Sequence, residues 1–413
     1  MTADATSPGP SPGVSTTDFL DAVVLALFAR TRIPACDRPA RLGRLLVVET
    51  PAEAAQILDQ PELFAKNFAL VAAFGPSRFN QNGAAWKGLR PRTQRAYARA
   101  GRPVMQAEIA AIYADELARA VPDATPGAAQ IETVLARAAL RIFFAAFGLQ
   151  PDVAPFLAHF GQLRQTVAEL QRLSWNGAST ANRDEIRGRA ARPLQDFIAA
   201  CEAQPEVNAT ITRLAAEAPA LPLRAMAADF MTNMFAGIET TTASLAWMID
   251  AIGRNATLQD ALRDEARDPE GQGSLLASFR DECLRVFAPI PFVVREATAD
   301  TRLGHHDLTK GDLVLLSLVG LHRDAGSWTD PLAFHAARAE FAPGAPPNPA
   351  FRPFLSGPRA CGGRRIAEME LTAALRLLVC HFRFESPAED PAFSYALAFR
   401  PKLGRGHRIT RLT

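Results

Sequence analysis

The order of apolar and polar residues along the chain reads mainly as helix. Stretches near 82–99, 103–120, 128–147, 182–203, 221–252, 256–267, 275–287 and 363–380 read as helices, long and mostly free of internal proline. Strand-like runs are fewer and fall mostly late, at 293–298, 312–318 and 382–385, with an early one at 44–49. The segment 303–312 (LGHHDLTKGD) reads as a turn between two strands. Breaker-rich stretches at 269–274 and 342–350 are too short to be linkers, and no repeat is present. The pattern predicts a mainly α (α+β) fold with small sheets, in one domain over 18–413. A Pro/Ser/Thr/Gly-rich tail at 1–17 is expected to be disordered.

The run 221–252 departs from the ordinary amphipathic pattern. It is apolar on most faces and should be buried, and as a helix it would extend about 45 Å. Pro222 sits near its start, where proline is tolerated. Its middle nevertheless carries Asn233, Gly237, Glu239, Thr240 and Thr241. A glycine and an acid–hydroxyl pair destabilise a buried helix unless something uses them.

Composition narrows the class. The chain has 413 residues, of which 48% are hydrophobic and 21% charged, which excludes a mainly disordered protein. Its 45 basic and 43 acidic residues leave a net charge of +2, so no global field for nucleic acid exists. Only Lys66, Lys87, Lys310 and Lys402 are lysines; with the heavy alanine usage, this matches the codon bias of a GC-rich, bacterial genome. Five cysteines without a CxxC pair argue against a disulfide framework or zinc ribbon and favour the cytoplasm. The apolar run at 22–28 is far shorter than the ~20 residues of a membrane helix, and the tail lacks a signal peptide's basic start. No membrane anchor is expected.

The strongest chemical signal is Phe354-Leu355-Ser356-Gly357-Pro358-Arg359-Ala360-Cys361-Gly362-Gly363. A cysteine stands in a glycine-rich loop just before a helix. Amides at a helix start favour a thiolate, and Arg359 adds positive charge two residues away. Such a sulfur is a nucleophile or a metal ligand. No His or Asn partner for a nucleophile is evident, and haem iron is a metal that one thiolate can hold.

This segment resembles the haem-binding signature Phe-x-x-Gly-x-Arg-x-Cys-x-Gly of the cytochrome P450 haem-thiolate monooxygenases, at Phe354, Gly357, Arg359, Cys361 and Gly363, with Ala367 at the family's usual alanine. Leu355 stands where glycine is common, and Gly362 replaces a usual apolar residue. The resemblance implies haem b with Cys361 as its iron ligand. Three further segments fit in the family's order. Glu282-x-x-Arg285, 79 residues before Cys361, resembles its structural acid–arginine helix, completed by an arginine such as Arg338. Ala236-Gly237-Ile238-Glu239-Thr240 resembles its oxygen-activation motif, which implies that Thr240 and Glu239 deliver protons while Gly237 admits a ligand. Trp86 and Arg90, one helical turn apart, resemble its propionate-binding pair, with Arg295 and Arg359 as further partners.

The resemblance also implies a soluble bacterial type of monomer that inserts one atom of O2 into a small hydrophobic substrate in secondary metabolism. Electrons would come from NAD(P)H through a separate reductase and a ferredoxin or flavodoxin. Lys87, Arg92, Arg95, Arg99, Arg364 and Arg365 would form the acidic donor's docking face. The pocket is expected from Phe68, Phe74, Phe79, Asn233, Met234, Phe292, Val293, Tyr395 and Leu397, an apolar lining suited to a terpenoid, fatty or aromatic compound. Two other readings are a peroxide-using or rearranging haem-thiolate enzyme and a non-catalytic haem sensor. His305 and His306, adjacent in a turn, are expected not to share a face as ligands. His322-Arg323-Asp324 is similar to a kinase catalytic loop but lacks a glycine-rich nucleotide loop beside it.

Overall fold

The computed structural model describes residues 45–413, apart from 121–124, 176–179, 269–272, 390, 405 and 413. The tail at 1–17, the apolar run at 22–28 and Cys36 lie outside the described residues.

The long apolar run forms one helix of 31 residues, Leu223–Gly253 (here α9, by chain order). It begins at Pro222 and stops where Gly253 meets the chain after a late strand. A Cβ at Gly253 would lie 2.8 Å from the Ser386 backbone nitrogen. Its side chains enter three of the four apolar clusters. Phe230, Met231 and Met234 lie in one cluster, Leu245, Met248 and Ile249 in the next, and Trp247 in a third. Trp247 stacks on Phe287 at 4.5 Å and donates its indole N–H to the Phe399 carbonyl at 2.9 Å. This burial explains why the run lacks a polar face.

The helices that precede α9 are α1 (Pro51–Asp59), α2 (Ala69–Ala72), α3 (Gly83–Ala100), α4 (Val104–Ala120), α5 (Ala128–Ala146), α6 (Ala154–Trp175), α7 (Thr180–Glu202) and α8 (Pro205–Ala216), of which α5, α7 and α8 pack most directly against it. Those that follow are α10 (Ala256–Arg267), α11 (Ser274–Val286), α12 (Leu318–Leu321) and α13 (Arg364–His381). The main sheet joins β1 (Leu45–Val48), β2 (Phe64–Lys66), β3 (Phe292–Ala297) and β6 (Leu313–Ser317) in the order β1-β6-β3-β2. β1 runs parallel to β6, with Leu45 opposite Leu313. β3 is antiparallel to β6, and β2 to β3, which puts Lys66 directly opposite Arg295. Small antiparallel pairs complete the fold: β4 (Thr301–Leu303) with β5 (His306–Leu308), β7 (Phe382–Glu385) with β10 (Arg408–Arg411), and β8 (Phe393–Ala396) with β9 (Ala398–Pro401).

The expected turn at 303–312 contains part of the β4–β5 hairpin, whose three-residue strands are too short to show alternation. Helices α1, α6 and α8 also lie where no helix was expected. α1 is announced only by its cap, where the Thr50 hydroxyl accepts from the Glu53 N–H. Among the described residues no helix is long and apolar enough to cross a membrane.

Glu282 anchors the fold on one side of the sheet. Its two oxygens accept from Arg285 at 2.7 and 2.8 Å and from Arg338 at 2.8 and 3.0 Å, with the His335 N–H on Oε1 at 2.8 Å. The remaining guanidinium protons reach the carbonyls of His322, Pro331, Ala333 and Thr329. The Trp328 ring lies against both arginines, at 5.2 and 5.8 Å. Burial alone would raise the Glu282 carboxyl; the bonds from Arg285 and Arg338 outweigh it and hold the group below the usual range. His322 extends this cluster toward the cysteine loop. Its Nε2 accepts from the Arg352 N–H at 3.1 Å, which leaves Nδ1 to donate to the Arg285 carbonyl, also at 3.1 Å. Burial lowers His322 to about 3, so it stays neutral. In the kinase-like tripeptide, His322 therefore serves as a structural bridge between α11 and the cysteine loop's approach.

Candidate functional site

A cavity of about 390 Å³ lies between the centre of α9 and the Cys361 loop. The loop is shaped before it meets anything. The Cys361 N–H bonds the Phe354 carbonyl at 2.9 Å, closing the segment on itself. Gly357 has φ +68°, and a Cβ there would fall 2.4 Å from the Leu58 carbonyl oxygen at the end of α1. Only glycine fits both demands. Leu355, at the position where the family commonly has glycine, adopts φ +58°, a left-handed conformation that destabilises a non-glycine residue by about 1 kcal/mol or more.

The Cys361 thiol is exposed to the cavity yet lies deep in the molecule. Burial pushes it up, and this outweighs the Gly363 N–H that the sulfur accepts and the charges of Arg78, Lys66 and Arg364. The expectation that helix-end amides and Arg359 suffice for a thiolate is therefore corrected: burial is the larger effect. A cation at the sulfur itself would be needed, as a metal provides.

Facing Cys361, α9 contributes Ala236, Gly237, Thr240, Thr241 and Ser244. A Cβ at Gly237 or at Gly363 would meet nothing within 4 Å, so both glycines look onto open space. The Thr240 hydroxyl donates to the Ala236 carbonyl at 2.8 Å. Glu239, its expected partner, is not in the lining. It is buried behind the helix, where Arg400 on β9 stands 3.5 Å from Oε2, and burial raises its carboxyl despite that cation. Arg400 also reaches the Thr242 hydroxyl, and its other nitrogen lies 3.9 Å from Glu132. The two members of the acid–alcohol pair thus sit on different faces, as consecutive helix positions must.

The cavity wall is rich in cations. Lys66, Arg78, Arg295 and Arg359 all line it, and Glu370 is the one acid among the described lining residues. Arg295 donates Nη1 to the Val294 carbonyl, while its buried Nη2 has no hydrogen-bond partner among the described residues; the same holds for Nε of Arg359. Burial lowers Arg295 to about 10. Burial, then Arg295, Arg78 and Arg90, lower Arg359 to about 10. Burial and the same lining arginines hold Lys66 well below its ordinary value. Directly opposed like charges destabilise a strand pair, so the Lys66–Arg295 juxtaposition is unfavourable until an anion joins it. The Trp86 ring carries the Arg359 guanidinium at 4.3 Å and that of Arg90 at 5.5 Å from its centroid. Arg90 itself is exposed and does not line the cavity.

Several expected positions fall elsewhere. Phe68, Phe79, Asn233, Phe292, Val293, Tyr395 and Leu397 line the cavity, but Phe74 faces a smaller apolar cavity beside it and Met234 is buried in the core. Asn233 is tied on both sides. It accepts from the Tyr97 hydroxyl at 2.9 Å and donates to the Asp229 carbonyl at 2.6 Å. Gly357 supports the loop from behind and is not in the lining. Arg92 is no part of a docking face: it is buried and caps the carbonyls of Leu214, Glu217 and Pro219. Lys87, Arg95, Arg99, Arg364 and Arg365 are exposed, with Arg95 paired to Glu217 and Arg364 to Glu368.

Sequence reasoning missed Arg78, Tyr97, Gln94 and Glu370. Arg78 is buried and bonds Thr93 at 2.9 Å and Gln94 at 3.0 Å. These two side chains explain Gly362. A Cβ there would come within 2.5 Å of Gln94 Oε1 and 2.7 Å of Arg78 Nη2. Glu370 accepts from the Tyr113 hydroxyl at 2.9 Å, and burial raises it to about 7. Its spacing from Ile366 and Ala367 put it on the cavity face of α13, a signal that the sequence carried.

The family model described as "Cytochrome P450" matches residues 132–404. Among curated proteins, "Cytochrome P450 4X1" of Mus musculus is 35% identical over 191 residues, 43% of this chain and 38% of that protein. "Cytochrome P450 4A11" of Homo sapiens is 33% identical over 199 residues, 45% of this chain and 38% of its own length. "Cytochrome P450 4F12" of Homo sapiens is 31% identical over 201 residues, with the same two shares. The matched region thus spans well under half the length of these relatives.

Proposed function

The chain belongs to the cytochrome P450 family, and from that premise we propose that it is a haem-thiolate monooxygenase acting on a small hydrophobic compound. The observation that carries this reading is the cavity's charge: buried cations with unpaired N–H groups on one wall, a thiol on another, and bare glycine backbone opposite it. These residues fit haem b, a flat group with two carboxylates and one iron. Arg295, Arg359 and Lys66 would hold the propionates, Trp86 would line their path, and Cys361 would ligate the iron. Haem, when bound, supplies the redox chemistry that activates dioxygen.

The chain's own residues do the rest. The Thr240 hydroxyl is positioned by the Ala236 carbonyl to hand on a proton at the cavity wall. Glu239 acts from behind the helix as the proton reservoir, its carboxyl raised by burial and only partly offset by Arg400. Phe68, Phe79, Phe292 and Leu397 exclude water and pose the substrate, an apolar terpenoid, fatty or aromatic molecule. Electrons arrive from NAD(P)H through a reductase and a ferredoxin or flavodoxin, docked on the exposed cations Lys87, Arg95, Arg99, Arg364 and Arg365. A cytoplasmic monomer and a bacterial source belong to the same proposal. NADH-dependent turnover with a reconstituted ferredoxin system tests it, with product formation abolished in Cys361→Ala.

One observation favours a second reading, in which peroxide replaces O2 and the electron donor: Glu239 is turned from the cavity. Turnover with hydrogen peroxide alone, at a rate exceeding that of the reconstituted system, would select it.

A further inference from the structure

Away from the cavity, the β4–β5 hairpin carries His305 and His306 against the first turn of α1. Adjacent residues in a turn were expected to diverge. Instead the two imidazole rings lie 3.9 Å apart between centroids, inclined by 38°. The reason is local. His306 begins β5 opposite Leu303, while His305 occupies the two-residue turn with Gly304, whose φ is +57°.

We propose that Glu53, His305 and His306 form a surface site for a divalent transition-metal cation of the zinc class. One ligand atom from each residue lies within 4.8 Å of the others. Two imidazole nitrogens and one carboxylate oxygen are a donor set that suits Zn²⁺ and is poor for Mg²⁺ or Ca²⁺, which take oxygen ligands. The set is held from behind. The Thr50 hydroxyl donates to Glu53 Oε2 at 2.6 Å and orients the carboxylate, an outer-shell contact of the kind that metal ligands use. Glu53 Oε1 comes so close to the turn that a Cβ on Gly304 would be 2.6 Å from it, so glycine is needed for the approach. Gln56, one turn further along α1, pins the hairpin with both ends of its amide: Nε2 donates to the Arg302 carbonyl at 2.6 Å, and Oε1 accepts from the Gly304 N–H at 3.3 Å. Water completes the coordination, because His305 is exposed.

This site is independent of the haem reading, since none of its residues lines the cavity. The test is calorimetric titration of ZnCl2 into the haem-loaded full chain, free of any affinity tag, so that Cys361 is already engaged. The expected result is one saturable site per chain, absent with MgCl2 or CaCl2. Affinity should fall at least tenfold in His306→Ala and in Glu53→Gln, with the haem absorption spectrum unchanged in both. The absence of saturable 1:1 binding overturns the proposal, as does Zn²⁺ binding with undiminished affinity in both variants.

Discussion

Two buried arginine clusters stand on opposite terms with their surroundings. Around Glu282, two guanidiniums share one carboxylate, and their other protons reach named carbonyls. Around the cavity, Arg295 and Arg359 sit with Lys66 and Arg78, and among the described residues each of the first two keeps a buried nitrogen without a hydrogen-bond partner and no lining carboxylate pairs with it. The first cluster is closed and already satisfied by the chain. The second is open, as the proposed binding of the haem propionates requires. Residue type alone does not separate structure from function here; hydrogen-bond satisfaction does.

The largest expected effect comes from opening the closed cluster. Glu282→Ala leaves two buried cations without a counter-charge and should destabilise the chain by about 3–5 kcal/mol, read as a lower urea midpoint. Because the Glu282 carboxyl is held below its unfolded value, its contribution is present above that value. It fades as pH falls through the lowered one, so the wild-type advantage over the variant should shrink in acid.

Glu370 sharpens the contrast, because it is the acid that fails to close the open cluster. It is bonded to Tyr113, and burial raises it to about 7 from an unfolded value of 4.5. The folded chain then holds a proton that the unfolded chain has lost, so stability falls as pH rises across that window. Relative to wild type, Glu370→Gln should gain on the order of 3 kcal/mol between about pH 4.5 and 7. Urea melts at those two pH values check this; equal gains at both would mean that Glu370 is ionised against the cavity's cations.

Arg295→Met is the mirror of Glu282→Ala. It should leave the haem-free chain as stable or more stable, while haem is released roughly tenfold to a hundredfold faster, the loss of about 1.5–3 kcal/mol for a charge-assisted bond. Haem-transfer kinetics and a urea melt of the haem-free form separate the two effects. Smallest is Gly362→Ala, which should cost about 1–2 kcal/mol by pressing Gln94 and Arg78 out of place. Adding Gln94→Ala should recover most of that loss, a coupling that a double-mutant cycle measures.

Most long helices, though not α6, and the cysteine loop were legible in the sequence because their signals are local: a long, nearly proline-free apolar run in α9, and fixed spacings around Cys361. The cavity's cations were legible only in part. Arg295 and Arg359 stand in motif positions, whereas Arg78 is brought to Gly362 by a tertiary approach of α3 and the loop before it. Gly362 looked like a departure from the family's pattern; it is the space that Arg78 and Gln94 fill. Glu239 shows the opposite failure. The motif placed it beside Thr240 in sequence, and helix geometry turned it to another face, where burial raises its carboxyl and Arg400, 161 residues away, only partly offsets that.

The central claim is that Cys361 holds haem iron as a thiolate in this cavity. The carbon monoxide difference spectrum of the reduced, haem-loaded protein tests it most directly. A thiolate-type Soret band in the wild type, lost in Cys361→Ala and retained in Cys283→Ala, is the predicted result. Folded, haem-loaded wild type that shows only an imidazole-type band, or a thiolate-type band that survives Cys361→Ala, would contradict it.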